Sequence, residues 1–438
     1  MASQISKGPL FRIARGYTQL APIGGVINYD LKSTVLPNRV VVVSGENDSA
    51  IARVSIIFRA GARNETADNL GVSHVLRSSA GLSTRNATQF AITRHIQQVG
   101  ASLTATSDRE TITYTLEGLR QAVEAVLPFL TEVATQQVFK FWEVSDLSHR
   151  LKLDIAVRPL QLRAIDLLHK AAFRTGLGNS LFIPKFNIGK ISTETLQHYV
   201  ASNFVSGRAA VVGLGFSSSK TLELAQSLNV ETGDGTTVAS PYKGGEVRSD
   251  KGGEFAYVAI AGEGASLKNT KEAVAAAVFQ RALGVGPQIK WGVRDNGLLS
   301  RSVDACGDFA SSAINANYSD TGLVGVLLVA PAASAGKVVE GAVKVLKNPK
   351  LTDADVNRGK AQLKAAVLSD FENGSKAVQL IGSQAALTGG ALSPVQIAAE
   401  IDSITTTDVS NVAQKAGRKL TFASVGNLSH VPYADDLK

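Results

Sequence analysis

The sequence predicts an α+β protein of two similar lobes, each a largely antiparallel sheet covered by helices, related by internal duplication. Two pairs of segments carry the duplication. Ile191-Ser192-Thr193-Glu194-Thr195-Leu196 opens a helix followed by the buried strand GRAAVVGLG. Ile404-Thr405-Thr406-Thr407-Asp408-Val409 opens another, 213 positions on, followed by GRKLTFASVGN. Ser107-Asp108 before TITYTLEG and Ser319-Asp320 before TGLVGVLLVA repeat at 212 positions. Two independent pairs at nearly one spacing indicate a repeated unit. The third observation is order: runs of strand signal precede runs of helix signal in each half, which places helices on one face of a largely antiparallel sheet.

Element by element, Val54, Ile56, Phe58 and Ala60 alternate along RVSIIFRAG, and Ile112, Tyr114 and Leu116 along TITYTLEG, the period of a half-buried strand. Phe255, Tyr257 and Ala259 open the second half in the same way. Helical periodicity covers Gln121–Ala134, Glu143–Val157 and Pro159–Phe173, then Lys271–Leu283, Ser334–Leu346 and Thr352–Glu372. Residues 30–216 form the first lobe and 251–438 the second. Between them, 217–250 reads as a linker through Gly233, Gly235, Pro241, Gly244 and Gly245. Two lobes joined in this way are expected to leave a cavity between them.

Length and composition bound the function. The chain has 438 residues, 44% hydrophobic and 19% charged, enough for a sizeable core. The most apolar stretch, Gly322–Gly336, alternates like a strand and contains Pro331, so no transmembrane segment is predicted. The net charge of +8 comes from singly scattered basic residues without a nucleic-acid signature, so no nucleic acid partner is expected. Cys306 is the only cysteine, which excludes an intrachain disulfide and any Cys-based iron–sulfur or haem attachment. Residues 1–29 carry Lys7, Arg12 and Arg15 with Ser3, Ser6 and Thr18, and no acidic residue precedes Asp30. That composition is expected of a mitochondrial transit peptide, drawn across a negative-inside membrane.

The segment GVSHVLRSSAGLST, Gly71–Thr84, has the layout of a metal-binding helix without its donors. Val72, Val75 and Leu76 make an apolar stripe, while His74 and Ser78 share another face with Arg77 beside them. Inverted zinc proteases hold His-x-x-Glu-His on one such helix, two imidazoles binding zinc and the Glu activating water. At those positions stand His74, Arg77 and Ser78. A guanidinium repels a divalent cation and cannot serve as a general base. The other histidines (His95, His149, His169, His198 and His430) show no ligand spacing. No catalytic, metal-binding or cofactor-binding residue is therefore expected.

RAGARNETADNLGVSHVLRSSAGLST, SDRETITYTLEG and NFVSGRAAVVGLG resemble the pitrilysin-type metallopeptidase family. RALGVGPQIKWG, INANYSDTGLVGVLLVA and SVGNLSHVPYADDL are similar to its core 2 branch, found in the mitochondrial ubiquinol–cytochrome c reductase (cytochrome bc1) complex. The resemblance runs from about Leu36 to Lys438. It implies a non-catalytic subunit of the respiratory chain, peripheral on the matrix side of the mitochondrial inner membrane, needed for assembly and stability of an electron-transport complex. Its implied partners are the core 1 subunit, cytochrome b, cytochrome c1 and the Rieske subunit, with a presequence peptide between core subunits. The alternative is the non-catalytic α-type subunit of the mitochondrial processing peptidase, whose glycine-rich loop Ala282–Gly292 resembles in position. The family's third zinc ligand is a Glu falling near Ile155, where only Asp154 is close, so restoring Glu and His at 77 and 78 is expected to give weak zinc binding at most.

Overall fold

The structure, a computed structural model, describes residues 30–46, 49–235, 237–286, 297–303 and 307–437. The leader 1–29, Cys306 and residues 287–292 of the glycine-rich loop lie outside the described residues.

The first sheet has six strands in the order β1-β2-β6-β3-β5-β4. They are β1 (Asp30–Val35), β2 (Val41–Glu46), β3 (Ile51–Phe58), β4 (Ser102–Ser107), β5 (Ile112–Leu119) and β6 (Ala209–Leu214). The second has five, β7-β11-β8-β10-β9: β7 (Glu246–Asp250), β8 (Phe255–Glu263), β9 (Ala310–Asn317), β10 (Gly322–Pro331) and β11 (Thr421–Gly426). Without the extra edge strand β1 the two orders are the same. In each, the strand that closes its half inserts beside the first long strand and runs parallel to the strand on its other side, β6 with β2 and β11 with β7. All other pairings are antiparallel. The predicted duplication is thus written into the hydrogen-bond ladders.

The helices follow the same repeat. In the first half come α1 (Val72–Ser78), α2 (Gln89–Gln98), α3 (Arg120–Thr135), α4 (Phe141–Val157), α5 (Leu160–Phe173), α6 (Thr193–Asn203) and α7 (Ser218–Ser227). In the second come α8 (Thr270–Leu283), α9 (Leu298–Val303), α10 (Ala332–Lys347), α11 (Asp353–Glu372), α12 (Gly374–Thr388), α13 (Pro394–Ser403) and α14 (Thr406–Arg418). The repeated helix starts are capped alike. The Ser192 hydroxyl accepts from the Thr195 N–H, and Thr405 forms a reciprocal capping box with Asp408. Each such cap stabilises by about 1 kcal/mol.

Helices cover both faces of each sheet, not one. Along β3, Ile56 and Phe58 face the first lobe's own helices, while Ile57 between them packs with Val43 and Val212 against Val378 and Ile381 of α12. Reciprocally, Leu168 and Ala172 of α5 pack on Ala259, Ala261 and Val425 of the second sheet. Helices α5 and α12 occupy equivalent places in the repeat, so the two halves exchange helices. Each exchanged side chain of Val, Ile or Leu size contributes about 1.5–3 kcal/mol by burial. Residues 217–250 likewise contain more than a linker. Thr221, Leu224 and Ala225 of α7 are buried, and β7 forms the parallel edge of the second sheet. Only the glycine-rich stretch between α7 and β7 has the irregular course that its composition indicates.

The repeated Ser-Asp turns meet where the lobes touch. The Arg63 guanidinium donates to Glu110 at 2.6 Å, to Ser319 Oγ at 3.0 Å and to Asp320 at 2.9 Å, and reaches the Val238 carbonyl at 2.8 Å. Glu110 also accepts from the Ser319 N–H at 3.0 Å and hydroxyl at 2.6 Å. Asp108 instead caps its own turn, accepting from the N–H groups of Glu110 and Thr111. The duplicated aspartates have diverged, one holding a turn and the other holding the lobes together.

Candidate functional site

Helix α1 begins at Gly71, whose φ of +94° and tight approach to Ile183 both require glycine, since a Cβ there would lie 2.6 Å from Ile183 Cα. Glu65 fixes the same end, accepting from the Gly71 N–H at 2.8 Å and from the Ser73 N–H and hydroxyl at 2.9 and 2.6 Å. Burial pushes the Glu65 carboxyl up to about 7, and these donors pull the other way.

At the third residue of α1, the structure brings His74 and Asp154 together. His74 is wholly buried; its Nδ1 accepts from the Ile183 N–H at 3.2 Å, and its Nε2 stands 3.3 Å from Asp154 Oδ2. With Nδ1 an acceptor, the ring proton belongs on Nε2, donating to the carboxylate. Burial, then the Arg77 charge, hold the imidazole down at about 4 against the pull of Asp154, so the ring is neutral at pH 7. Phe182 packs edge-on against it with ring centroids 5.4 Å apart.

Arg77 lies half-buried with its guanidinium 5.9 Å from the centre of the Phe182 ring, and Arg158 approaches that ring at 4.9 Å. Ser78 is buried. Burial, opposed by Asp154, pushes the Arg77 guanidinium below its ordinary value, and Arg150 adds to the push.

The donor set at His74, Arg77 and Ser78 does not fit zinc. Both nitrogens of His74 already have partners, Ser78 offers a hydroxyl, and Arg77 adds positive charge. No group of three or more His, Cys, Asp and Glu side chains able to hold a metal occurs among the described residues. Asp154, close to the position of the family's third ligand, is bonded to the one histidine of the motif. Two ligands on a tetrahedral zinc, each about 2.0–2.1 Å away, stand about 3.3 Å apart, which is the separation of His74 Nε2 and Asp154 Oδ2. Asp154 therefore stands within reach of a metal placed beside His74. Arg77→Glu together with Ser78→His is accordingly expected to take up about one zinc per chain after dialysis, measured by elemental analysis. Adding Asp154→Ala should abolish the uptake. Zinc-free double-variant protein would show that the pocket is lost as well as its ligands.

The contributions of Ile183, Phe182 and Arg158 were not visible in the sequence. The Ile183 N–H reaches His74 across 109 residues, and a backbone donor leaves no compositional mark. Histidines 95 and 169 sit elsewhere. His95 bonds the Ala91 carbonyl one turn back, and buried His169 bonds the Ile165 carbonyl and the Tyr318 hydroxyl.

Comparisons with known proteins agree with this geometry. A family model described as insulinase, peptidase family M16, matches residues 40–185, and one described as the peptidase M16 inactive domain matches residues 190–363. The chain is 40% identical over 433 residues to cytochrome b-c1 complex subunit 2, mitochondrial, of Mus musculus, covering 96% of this chain and 95% of the relative. The Homo sapiens protein of the same name is 38% identical over 419 residues, covering 93% and 92%. The probable mitochondrial-processing peptidase subunit alpha-1 of Arabidopsis thaliana is 28% identical over 428 residues, covering 93% and 84%. With duplicated sheets and near-complete coverage in agreement, the chain belongs to the peptidase M16 family, in its non-catalytic cytochrome b-c1 complex subunit 2 branch.

Proposed function

We propose that the chain is a structural core subunit of the mitochondrial ubiquinol–cytochrome c reductase, required for the assembly and stability of the complex. The observation that carries this is the pairing of about 40% identity to subunit 2 relatives along nearly the whole chain with a cleft whose one histidine has no free lone pair. The subunit pairs with core 1 and supports cytochrome b, cytochrome c1 and the Rieske subunit from the matrix side of the inner membrane, peripherally. Consistent with a peripheral position, no helix among the described residues is long and apolar enough to cross a membrane. Residues 1–29 act as the import signal, and 30–216 and 251–438 are the two peptidase-like lobes. His74, Arg77 and Ser78 have no catalytic or metal-binding role, and a presequence peptide is held between the core subunits.

Native electrophoresis of detergent-solubilised mitochondrial membranes tests this reading. The chain is expected to migrate with cytochrome b and core 1, and its depletion to lower the amount of assembled reductase. Migration free of the reductase, with stimulation of presequence cleavage by a catalytic partner, would instead identify an α-type processing-peptidase subunit.

A further inference from the structure

The cleft beside α1 carries arginines that outnumber the free carboxylates around them. Arg150, Asp154 and Arg158 follow one another at intervals of four along and just past α4, so they share one face of that helix, opposite Arg77 of α1. Their carboxylates are already engaged. Asp154 takes the His74 N–H. Asp166 accepts from Arg109 at 2.8 Å, from the Ser180 hydroxyl at 2.6 Å and from the Leu181 N–H at 3.3 Å, and stands 3.5 Å from Arg158. Arg77 and Arg150 make no ion pair or hydrogen bond with any described residue; Arg77 stands over the Phe182 ring and feels the Asp154 charge only at a distance. Leaving a half-buried guanidinium without an anion forgoes a strong charge-assisted contact. Beside them opens a cavity of about 330 Å³ with a mixed lining, in which Arg150, Gln89 and Gln97 stand among apolar side chains such as Leu82, Ile92 and Leu147.

We propose that this cleft binds an acidic peptide segment, with carboxylates pairing to Arg77, Arg150 and Arg158. The spacing selects a chain over a compact anion. Residues eight apart along a helix lie about 12 Å from one another, beyond the reach of one phosphate. An extended peptide rises about 3.3 Å per residue, so acidic side chains four apart on it lie about 13 Å from one another and can meet both ends of the arginine row. Exposed Leu153 and Val157 on α4 beside that row offer apolar contact to the residues between them. The surplus of positive charge over the whole chain, +8, favours encounter with such a segment.

The test uses the purified full chain and a fluorescein-labelled hexaglutamate peptide, read by fluorescence anisotropy. Saturable binding is expected, weakened about tenfold or more by Arg77→Gln with Arg150→Gln. Arg150→Gln alone, at an exposed position, should weaken binding without altering the thermal midpoint, which separates lost binding from lost folding. Lys337→Gln with Lys344→Gln, on the exposed face of α10, removes the same charge and should leave affinity unchanged. A labelled hexalysine peptide should not bind. Equal losses in the arginine and lysine variants would reduce the effect to diffuse surface charge and overturn the proposal. So would absence of binding, or displacement of the peptide by millimolar inorganic phosphate.

Discussion

Replacing Arg63 with methionine should lower the thermal midpoint of the chain by roughly 3–5 °C. The guanidinium is 3% exposed and sits between Glu110 and Asp320, one from each lobe. Methionine fills much of its volume but leaves those carboxylates facing each other without a cation. Breaking a buried ion pair from one side costs about 3–5 kcal/mol, and at about 2.1 cal/mol/K of unfolding entropy per residue each kcal/mol moves the midpoint of a chain this long by about 1 °C. Adding Asp320→Asn to Arg63→Met should recover part of the loss, because the orphaned charge is then removed, and a double-mutant cycle measures the coupling. The pH dependence follows from Asp320. Burial pushes its carboxyl up, but hydrogen bonds from Arg63 and Ser240 outweigh that and hold it below its ordinary 3.8. A carboxyl depressed in the folded chain stabilises above its unfolded value and loses that contribution as acid protonates it. The wild-type advantage over Arg63→Met should therefore shrink below about pH 4. A midpoint change of under about a degree at neutral pH would mean that apolar packing alone holds the lobes.

Gly262→Ala is expected to be as damaging although it adds one methyl group. Gly262 lies on β8 where α14 crosses the sheet, and a Cβ there would stand 1.8 Å from the Ala416 carbonyl oxygen and 2.6 Å from its carbon. Both are backbone atoms, so no side-chain rotation relieves the overlap. Either the helix lifts from the sheet or the strand bends, opening the packing of Val412, Ala413 and Ala416 against the second core. Overpacking typically costs about 1–3 kcal/mol and occasionally more; a clash between two backbones belongs at the upper end. Denaturant unfolding of the purified variant measures it. A loss under about 1 kcal/mol would show that α14 moves freely over β8.

Both predictions rest on features with different legibility in the sequence. The duplication was readable because it repeats whole words: a hydroxyl-led helix start and a buried strand in each half. The chemistry of His74, Arg77 and Ser78 was readable because three side chains on one helix have a fixed relation. Asp154 was named for its position, yet its bond to His74 depends on how α4 packs on α1, which no local pattern encodes. The burial of both faces of β3 was hinted at by the unbroken run Ser55-Ile56-Ile57-Phe58, since a strand covered on both sides stops alternating. What covers the second face lies more than 300 residues away in α12 and has no local signature. Strand β7 was missed because its residues, Glu246-Val247-Arg248-Ser249-Asp250, are mostly polar, as suits an edge.

The exchange of α5 and α12 also sets the order in which the chain can complete itself. A chain delivered from its N-terminus presents Val43, Ile57 and Val212 long before Val378 and Ile381 arrive to cover them. Until nearly nine-tenths of the molecule has been delivered, the first sheet keeps one bare apolar face, and α5 waits with its own apolar stripe for a sheet not yet made. Such surfaces invite aggregation and chaperone capture. The two halves therefore mature together at the end of delivery, and a chain truncated before residue 374 would leave neither half finished.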